Sequence, residues 1–405
     1  MSAHLSASDI PQGFSFAATQ CGLKRSLLDL GILLSETPAA TAAVFTTNRV
    51  IAAPVIASRE HLKKSRQRMR GVIVNSGNAN CCTHEDGYPA SIATTRRLAE
   101  ELGGADGSVF IVCSTGVIGA PLRVEKILNA VPQLVQSRSA DPGAFEEFAR
   151  AIMTTDTRPK WAVAKCRIGG KEARVLGCAK GSGMIQPNMA TMLSFIATDA
   201  AISARVLQRA LRSAVSTTFN CITVDGDTST NDTVALFANG QSGAAKIEKA
   251  AGADYKNFCA ALERVCCELA LAIVADGEGA QRVIEIEVRG ASSDAAADCI
   301  ARTVANSPLV KTAFAGADPN WGRILAAAGR AGVDFDPSRA NIWIGGVAVC
   351  RGGREVTFNE AAAHEKMLAK TVHVRIELGS GRGAARMWTC DFTQEYVHIN
   401  ASYRT

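Results

Sequence analysis

The stretch Lys180-Gly-Ser-Gly-Met-Ile-Gln-Pro-Asn-Met-Ala-Thr-Met-Leu-Ser-Phe195 carries the most information about the fold and chemistry of this chain. It joins a glycine-rich turn, which follows a lysine, to an apolar run that predicts a buried strand. Thr191 stands where the loop enters that strand, and a threonine in such a place is most often a packing residue. If the Ala190–Thr191 bond were cut, however, Thr191 would carry a hydroxyl nucleophile beside a free α-amine.

That amine would supply the base that a threonine nucleophile needs. An α-amine has an ordinary pKa of about 7.7–8.0, so it can accept a proton near neutral pH. This is how N-terminal threonine nucleophiles are activated. The stretch therefore supports both interpretations of Thr191, packing and catalysis, and its neighbours alone do not decide between them.

The composition is that of an ordinary globular protein. A chain of 405 residues, of which 47% are hydrophobic and 20% charged, predicts two or three domains or lobes. The net charge of +6 comes without a Lys/Arg-rich run interleaved with aromatic residues, so we expect no nucleic-acid partner. Apolar stretches such as residues 269–275 are far shorter than the ~20 residues that span a bilayer, and no secretory signal is recognisable. We therefore expect a cytoplasmic protein with no membrane partner.

The cysteines and histidines indicate neither disulfides nor a metal site. The 13 cysteines include the adjacent pairs Cys81-Cys82 and Cys266-Cys267, but no C-x-x-C motif occurs. An odd number without a regular spacing predicts reduced thiols. The six histidines are scattered and none forms H-E-x-x-H, so no metal is expected.

Strand and helix patterns alternate along the chain and predict an α/β fold. Residues 71–75 and 108–113 have the pattern of buried strands, with a helical pattern at 91–102 between them. The longest helical pattern, at about 255–274, ends at the loop Asp276-Gly-Glu-Gly279. The rest of the chain is rich in strand patterns, which predicts a smaller C-terminal lobe from about residue 282.

Several other motifs are ambiguous on their own. Ser114-Thr-Gly-Val-Ile-Gly119 is either a simple turn or a strand end whose hydroxyl and backbone N–H form an oxyanion hole. Gly379-Ser-Gly-Arg-Gly-Ala384 is glycine-rich like a dinucleotide loop, but a strand pattern follows it instead of a helix, so we predict a hairpin. Arg323 is either a solvent-facing side chain or a clamp for a carboxylate.

Taken together and in order, the motifs resemble the ornithine acetyltransferase family, also called glutamate N-acetyltransferase, of arginine biosynthesis. The resemblance extends over essentially the whole chain. The matching segments are Phe45-Thr-Thr-Asn48, Asn75-Ser-Gly-Asn-Ala-Asn80, Ser114-Thr-Gly-Val-Ile-Gly119, Met153-Thr-Thr-Asp-Thr157, the Lys180–Phe195 stretch, Val224-Asp-Gly-Asp-Thr-Ser-Thr-Asn-Asp-Thr233, Asp276-Gly-Glu-Gly279, Ala317-Asp-Pro-Asn-Trp-Gly-Arg323 and Tyr396-Val-His-Ile-Asn-Ala-Ser-Tyr-Arg-Thr405.

This resemblance implies an α/β layered sandwich with large mixed β-sheets, of the self-processing N-terminal-threonine type, with the smaller C-terminal lobe. Members of the family cut themselves before the motif threonine. Cleavage between Ala190 and Thr191 would give an α chain of residues 1–190 and a β chain of residues 191–405. The two chains would stay together as an α2β2 heterotetramer.

The resemblance also assigns site residues. It implies that Thr191 is the nucleophile and that Thr115 and Gly116 form the oxyanion hole. Gln186 stands where the family often has histidine, outside the transferred roles. The implied substrate contacts are Thr157, Lys180, Thr191, Glu278, Asn400 and Thr405.

The reaction implied is transfer of the acetyl group from N2-acetylornithine to glutamate through an acetyl-Thr191 intermediate. From their charges, we expect Lys180 to meet the amino acid's carboxylate and Glu278 to meet the cationic end of ornithine. No cofactor is expected, although acetyl-CoA could serve as a second donor and make the enzyme bifunctional. Two other functions stay open: a related threonine-nucleophile amidohydrolase or aminopeptidase, and a non-enzymatic amino-acid-binding protein on the same scaffold.

Overall fold

The computed structural model describes residues 4–186, 192–379 and 381–402. Within these ranges the strands form two mixed sheets, one of eight strands and one of six. The strands of the first sheet are β1 (Phe14–Thr19), β2 (Leu30–Phe45), β3 (Arg68–Asn78), β4 (Phe110–Val117), β5 (Lys160–Ile168), β6 (Lys171–Lys180), β7 (Leu193–Thr198) and β8 (Thr233–Ala238). The helices packed on it are α1 (Ala53–Lys64), α2 (His84–Glu101), α3 (Val124–Gln136), α4 (Pro142–Ala151), α5 (Ala204–Thr217) and α6 (Ala253–Ala275).

The long strand β2 lets the first sheet fold over on itself. The strand order is β4-β3-β2-β8-β7-β6-β5, with β1 also paired to β2. Residues 30–34 of β2 pair with β3, the register then shifts, and residues 40–45 pair with β8. The two halves of the sheet face each other, because Val72 and Ile111 of one half share a buried cluster with Phe195 and Phe237 of the other.

Helices cover the two outer faces of this double layer. On one side Ile73 packs with Leu98 of α2 and Val131 of α3, and on the other side α5 and α6 pack against β7 and β8. The parallel strands β7 and β8 are therefore covered on both faces, which is why all six residues of each are buried. The result is an α-β-β-α arrangement, so the predicted layered α/β sandwich with large mixed sheets is confirmed.

The second sheet begins with β9 (Val283–Ala291) and lies in the C-terminal part of the chain. Its order is β12-β11-β10-β13-β9-β14, and alternate residues of β9 (Ile284, Ile286) enter a core of their own. Its other strands are β10 (Asn341–Ile344), β11 (Val347–Arg351), β12 (Arg354–Glu355), β13 (Thr371–Glu377) and β14 (Gly383–Cys390). The remaining helices are α7 (Asp294–Ala305), α8 (Pro308–Ala315), α9 (Trp321–Gly329), α10 (Glu360–Met367) and α11 (Gln394–Ser402).

The connection between β13 and β14 corrects one prediction. We expected a hairpin at residues 379–384, but β9 lies between the two strands, parallel to β13 and antiparallel to β14. The local pattern could not show this, because β9 comes from a segment almost 100 residues earlier in the chain. The glycine-rich loop is still followed by a strand, which removes the helix that a dinucleotide site requires.

The two sheets are joined next to the C-terminal part of β14. The backbone N–H of Thr223 donates to the carbonyl of Trp388 at 2.9 Å, and Trp388 and Cys390 pack into the core beneath α6. In the described part of the chain, no helix is long and apolar enough to cross a membrane. The division into chains 1–190 and 191–405, with a lobe from about 282, stays a prediction.

Candidate active site

A cavity of about 200 Å³ opens where the ends of β4 and β6 meet the loops before β8 and after α6. Helix α11 contributes Tyr396 and Asn400 to one side of the cavity. The lining residues are Ala79, Thr115, Gly116, Ile118, Thr154, Thr155, Lys180, Gly183, Met184, Asp225, Asp227, Ser229, Asn231, Asp232, Glu278, Tyr396 and Asn400.

Residues that the sequence predicted for the site meet in this cavity. Thr115, Gly116, Lys180, Glu278 and Asn400 all line it, although they come from four separate segments of the chain. Thr157 is not one of the lining residues. Its backbone N–H and its hydroxyl both donate to Asp276, next to the cavity. The predicted cleavage site Ala190–Thr191 and the predicted contact Thr405 lie outside the described residues.

The start of β7 lies beside the cavity. Leu193 pairs with Lys180 at the end of β6 and with Thr233 at the start of β8. The carbonyl of Met192 accepts the backbone N–H of Thr233 at 3.0 Å. Lys180 and Asp232, the residue before Thr233, both line the cavity.

Gly116 occupies a position that no other residue fits. Its φ of +126° lies in the region that favours glycine, and a Cβ there would lie 2.4 Å from the carbonyl carbon of Gly77 and 2.6 Å from the nitrogen of Asn78. The register between β3 and β4 shifts at this point. The strand end can therefore present its backbone to the cavity, as an oxyanion hole needs.

An amide network fixes the end of β4. The side-chain NH₂ of Asn231 donates to the carbonyl of Ala79 at 2.6 Å and to that of Ser114 at 2.9 Å. The hydroxyl of Ser114 donates to the side-chain oxygen of Asn75 at 2.6 Å. These bonds are buried, so the position of Thr115 and Gly116 is set before any substrate binds.

Glu278 is held tightly although it is a buried carboxylate. Its side chain accepts a hydrogen bond from the amide of Asn400 at 2.7 Å, and its backbone N–H donates to Ser182 at 3.0 Å. A Cβ at position 183 would lie 2.5 Å from the carboxyl group, so a larger residue there would force the Glu278 side chain to move. The loop after β6 thus packs directly on the loop after α6.

The cavity is acidic overall. Its lining includes the carboxyl groups of Asp225, Asp227, Asp232 and Glu278, against the ammonium of Lys180. Burial lowers the pKa of Lys180, although Asp156 and the cavity carboxylates Asp232 and Glu278 oppose that shift. Such a lining favours a ligand that brings positive charge of its own.

Asp225 fixes the other side of the cavity. Its carboxylate accepts the backbone N–H groups of Met184 at 2.6 Å and Ile185 at 2.8 Å. Burial raises the pKa of Asp225, while these two N–H groups act in the opposite direction. The hydroxyl of Tyr396 lies 3.4 Å from the same carboxylate, so α11 is tied to this wall.

Behind the cavity lies a buried ion cluster of Asp156, Lys160 and Asp276, which we call the Asp-Lys-Asp cluster. The ammonium of Lys160 lies 2.5 Å from Asp156 and 2.6 Å from Asp276, and the three side chains are between 0% and 4% exposed. Burial alone would raise the pKa of Asp156, but the ammonium groups of Lys160 and Lys180 hold it below its ordinary value.

The cluster connects three loops that reach the site. Asp156 accepts the backbone N–H of Gly181 at 2.7 Å, while Asp276 accepts that of Thr157 at 3.1 Å. The hydroxyl of Ser182 donates to the carbonyl of Asp276 at 2.5 Å. Sequence reasoning missed Lys160, because nothing near it in the chain shows that two carboxylates from different loops surround it.

The described residues contain no group of three or more His, Cys, Asp or Glu side chains that could hold a metal ion. Comparisons with known proteins identify the family. The ArgJ family model matches residues 15–405. The chain belongs to the ArgJ family.

Several known proteins are similar to this chain. The arginine biosynthesis bifunctional protein ArgJ of Thermotoga neapolitana is 47% identical over 98% of this chain and 100% of its own length. A crystal structure of ArgJ from Bacillus halodurans is 42% identical and covers 53% of this chain and 100% of that chain, with a TM-score of 0.51. A chain of ornithine acetyltransferase from Mycobacterium tuberculosis, solved with ornithine, is 34% identical over 46% of this chain and 98% of its own, with a TM-score of 0.39. The family membership confirms the resemblance inferred from the motifs.

Removing the central charge of the Asp-Lys-Asp cluster should destabilise this ArgJ chain strongly. We expect Lys160→Met to lower the free energy of unfolding by about 3–5 kcal/mol, because it removes the buried ammonium that pairs with both carboxylates. Denaturation in urea measures the loss. The matched control is Lys165→Met on the same strand, where the ammonium pairs with Asp9 at the surface and the cost should stay within ~1 kcal/mol. Equal losses from the two variants would contradict the role given to Lys160.

Proposed function

We propose that this acyltransferase of the arginine pathway moves the acetyl group of N2-acetylornithine to glutamate through an acetyl-Thr191 intermediate. The proposal rests on one observation. A single cavity beside the start of β7 is lined by Thr115, Gly116, Lys180 and Glu278. Thr191 precedes that strand by two residues in the sequence. The family match over residues 15–405 makes the chain an enzyme, which disfavours the non-enzymatic alternative.

The first half-reaction forms the ester. The Oγ of Thr191 attacks the acetyl carbonyl of N2-acetylornithine while the α-amine of the same residue takes the hydroxyl proton. The hydroxyl of Thr115 and the backbone N–H of Gly116 stabilise the oxyanion that develops. The carbon–nitrogen bond then breaks, and ornithine leaves with the proton on its amine.

The second half-reaction reverses the first with another amine. The amine of glutamate attacks the acetyl ester, the Thr191 oxygen leaves and regains its proton, and N-acetylglutamate is released. No cofactor is needed, because the acetyl group moves between two amines by way of a hydroxyl. Acetyl-CoA can enter the first step as a thioester donor in place of acetylornithine, which accords with the word bifunctional in the name of the Thermotoga relative.

The charges of the cavity orient the amino-acid substrates. Glu278, held by Asn400, faces the cationic side chain of ornithine, and the other cavity carboxylates add to the attraction. Lys180 faces the α-carboxylate. Thr157 acts on substrate indirectly, through the hydrogen bonds that join its loop to Asp276 in the loop after α6. Asn400 belongs to the last helix, so the final segment of the chain, including Thr405, contributes to substrate binding.

Processing at Ala190–Thr191 is part of the proposal. The cut gives chains of residues 1–190 and 191–405, which remain associated as an α2β2 heterotetramer in the cytoplasm. The Bacillus halodurans chain supports this, because it is matched over its whole length by 53% of this chain, and residues 191–405 make up the same share. The hydroxyl of Thr191 can attack the preceding carbonyl and form an ester, which water then resolves.

Processing can be read on a denaturing gel. Wild-type protein should give two bands, and Thr191→Ala should give a single band of full length because it lacks the attacking hydroxyl. Thr191→Ser is the matched control, since it keeps a hydroxyl and should still be cut. A single band from active wild-type protein would remove self-cleavage from the proposal.

The oxyanion role of Thr115 can be tested with a conservative pair. Thr115→Ala should lower kcat by on the order of 10²–10³, the usual cost of losing one oxyanion donor, with little change in stability. Thr115→Ser keeps the hydroxyl and should retain most of the activity. Steady-state kinetics and thermal unfolding measure the two effects. Near-normal kcat in Thr115→Ala would place the oxyanion elsewhere.

Gly116 should tolerate no side chain. We expect Gly116→Ala to cost at least about 10² in kcat, because its Cβ would collide with the backbone of Gly77 and move the N–H that faces the oxyanion. Gly119→Ala is the matched control, since Gly119 also has a positive φ (+78°) but nothing within 4 Å of its Cβ position. Similar kinetics for the two variants would rule out the steric argument.

One assay separates acetyl transfer from hydrolysis. Acetylornithine carrying a labelled acetyl group is incubated with the enzyme in the presence and absence of glutamate. We expect labelled N-acetylglutamate, and free acetate at a small fraction of that rate. Acetate as the main product, at a rate that glutamate does not change, would identify an amidohydrolase instead.

A further inference from the structure

The chain contains two pairs of adjacent cysteines, and the structure distinguishes them. Cys81 and Cys82 lie in the loop between β3 and α2, whereas Cys266 and Cys267 lie inside α6. The proposed mechanism uses neither pair. Two thiols that face each other can bind a single ligand atom together, so the geometry of each pair decides whether it can act as a binding site.

The sulfurs of Cys81 and Cys82 face each other at 3.8 Å. The loop achieves this with positive φ angles at alternate residues, 48° at Asn80, 56° at Cys82 and 49° at His84. Such angles are uncommon outside glycine and are concentrated at functional sites. Cys82 is exposed and Cys81 is buried directly behind it, so a ligand can reach the pair from solvent through Cys82.

The helical pair cannot act in this way. Successive side chains of an α-helix point about 100° apart, so the two sulfurs diverge. Cys266 is fully buried in the core beneath α6, and Cys267 is only partly exposed. This pair therefore serves as an internal control with the same sequence and a different backbone.

We propose that Cys81 and Cys82 form a dithiol site that captures trivalent organoarsenicals, and that its occupation stops acetyl transfer. An arsenoxide R–As=O reacts with the two thiols to give two As–S bonds. The oxygen leaves as water with both thiol protons, and arsenic keeps its oxidation state. The separation of 3.8 Å is far from the ~2.05 Å of a disulfide, but one large atom can bridge it with a small movement of the sulfurs.

The chemistry of the site selects this ligand class. Thiol sulfur is a soft ligand and prefers soft partners. In the described part of the chain, no three His, Cys, Asp or Glu side chains are arranged so that they could hold a metal ion, so the pair offers two sulfurs to a ligand without a third side chain. An organoarsenical suits two sulfurs, because its organic group already fills its third position. Burial also raises the pKa of Cys81, which keeps this residue in the thiol form that the reaction consumes.

The loop that carries the two thiols, residues 79–83, is hydrogen-bonded directly to the active site. The carbonyl of Cys81 accepts the backbone N–H of Gly119 at 2.9 Å, in the turn that follows Thr115 and Gly116. Ala79, two residues before Cys81, lines the cavity and accepts a hydrogen bond from Asn231 at 2.6 Å. The same Asn231 amide binds Ser114. Drawing the sulfur of Cys81 outward toward a shared arsenic atom would therefore displace the end of β4.

The test uses phenylarsine oxide on the purified enzyme. One equivalent per dithiol site is added, the adduct is counted by intact mass and located by peptide mapping, and acetyl transfer is assayed on the same samples. We expect one phenylarsenic group on residues 81–82 and a loss of activity in proportion to the modified fraction. A dithiol such as 2,3-dimercaptopropanol should remove the adduct and restore activity, whereas 2-mercaptoethanol at the same thiol concentration should not.

Two variants make the result specific. Cys82→Ser should keep full activity, form no stable adduct and resist the arsenical, because one thiol cannot chelate. Cys267→Ser should be modified and inhibited like the wild type. An unmodified wild type, a Cys82→Ser variant that is inhibited equally, or an adduct at residues 81–82 that leaves activity unchanged would each overturn the proposal. The mass measurement does not depend on the assigned reaction, so a failure of the proposed acetyl transfer would be recognised separately.

Discussion

The active site depends on the buried ammonium of Lys160. It lies between Asp156 and Asp276, and those two carboxylates bind the backbone of the loops that carry Lys180 and Thr157. Taking three charges out of water costs several kcal/mol for each ion, and a buried ion pair is therefore weak evidence for stability as such. The cluster instead fixes the geometry of the site, because its three charges are paired in a single arrangement of the three loops.

That arrangement links the site to the folding over of the first sheet. Lys160 begins β5 at one edge of the sheet, whereas Thr115 and Gly116 end β4 at the opposite edge. An open flat sheet would keep these strands far apart, since neighbouring strands lie about 4.8 Å from each other and five strands lie between β4 and β5. The register shift in β2 brings the two halves face to face, and the edges then share one cavity.

The sequence could predict the features that depend on short segments. The strands at 71–75 and 108–113, the α/β class and the glycine requirement near Thr115 follow from local pattern and from motifs in a fixed order. Five of the predicted site residues line the cavity, and all five belong to those motifs. The roles of Thr191 and Thr405 stay predictions, since both lie outside the described residues.

Features that depend on distant segments could not be predicted in this way. The insertion of β9 between β13 and β14 depends on a strand pairing across almost 100 residues. Lys160 has the sequence context of an ordinary strand residue, and its partners Asp156 and Asp276 lie 4 and 116 positions away. The charge pattern of one strand contains no information about a carboxylate that arrives from the end of α6.

The two glycines at the cavity show how function constrains this packing. At Gly116 a side chain would meet backbone, and at Gly183 it would meet the carboxyl group of Glu278, so both glycines lie in close contact with a neighbouring segment. Charges in a largely buried site interact more strongly than charges in solution. Burial also makes an unpaired charge costly, and here Glu278 is held by Asn400 and Asp225 by two backbone N–H groups. A cavity that is to bind a cationic amino acid beside a lysine must therefore be rigid before the substrate arrives, and the buried ions behind its wall provide that rigidity.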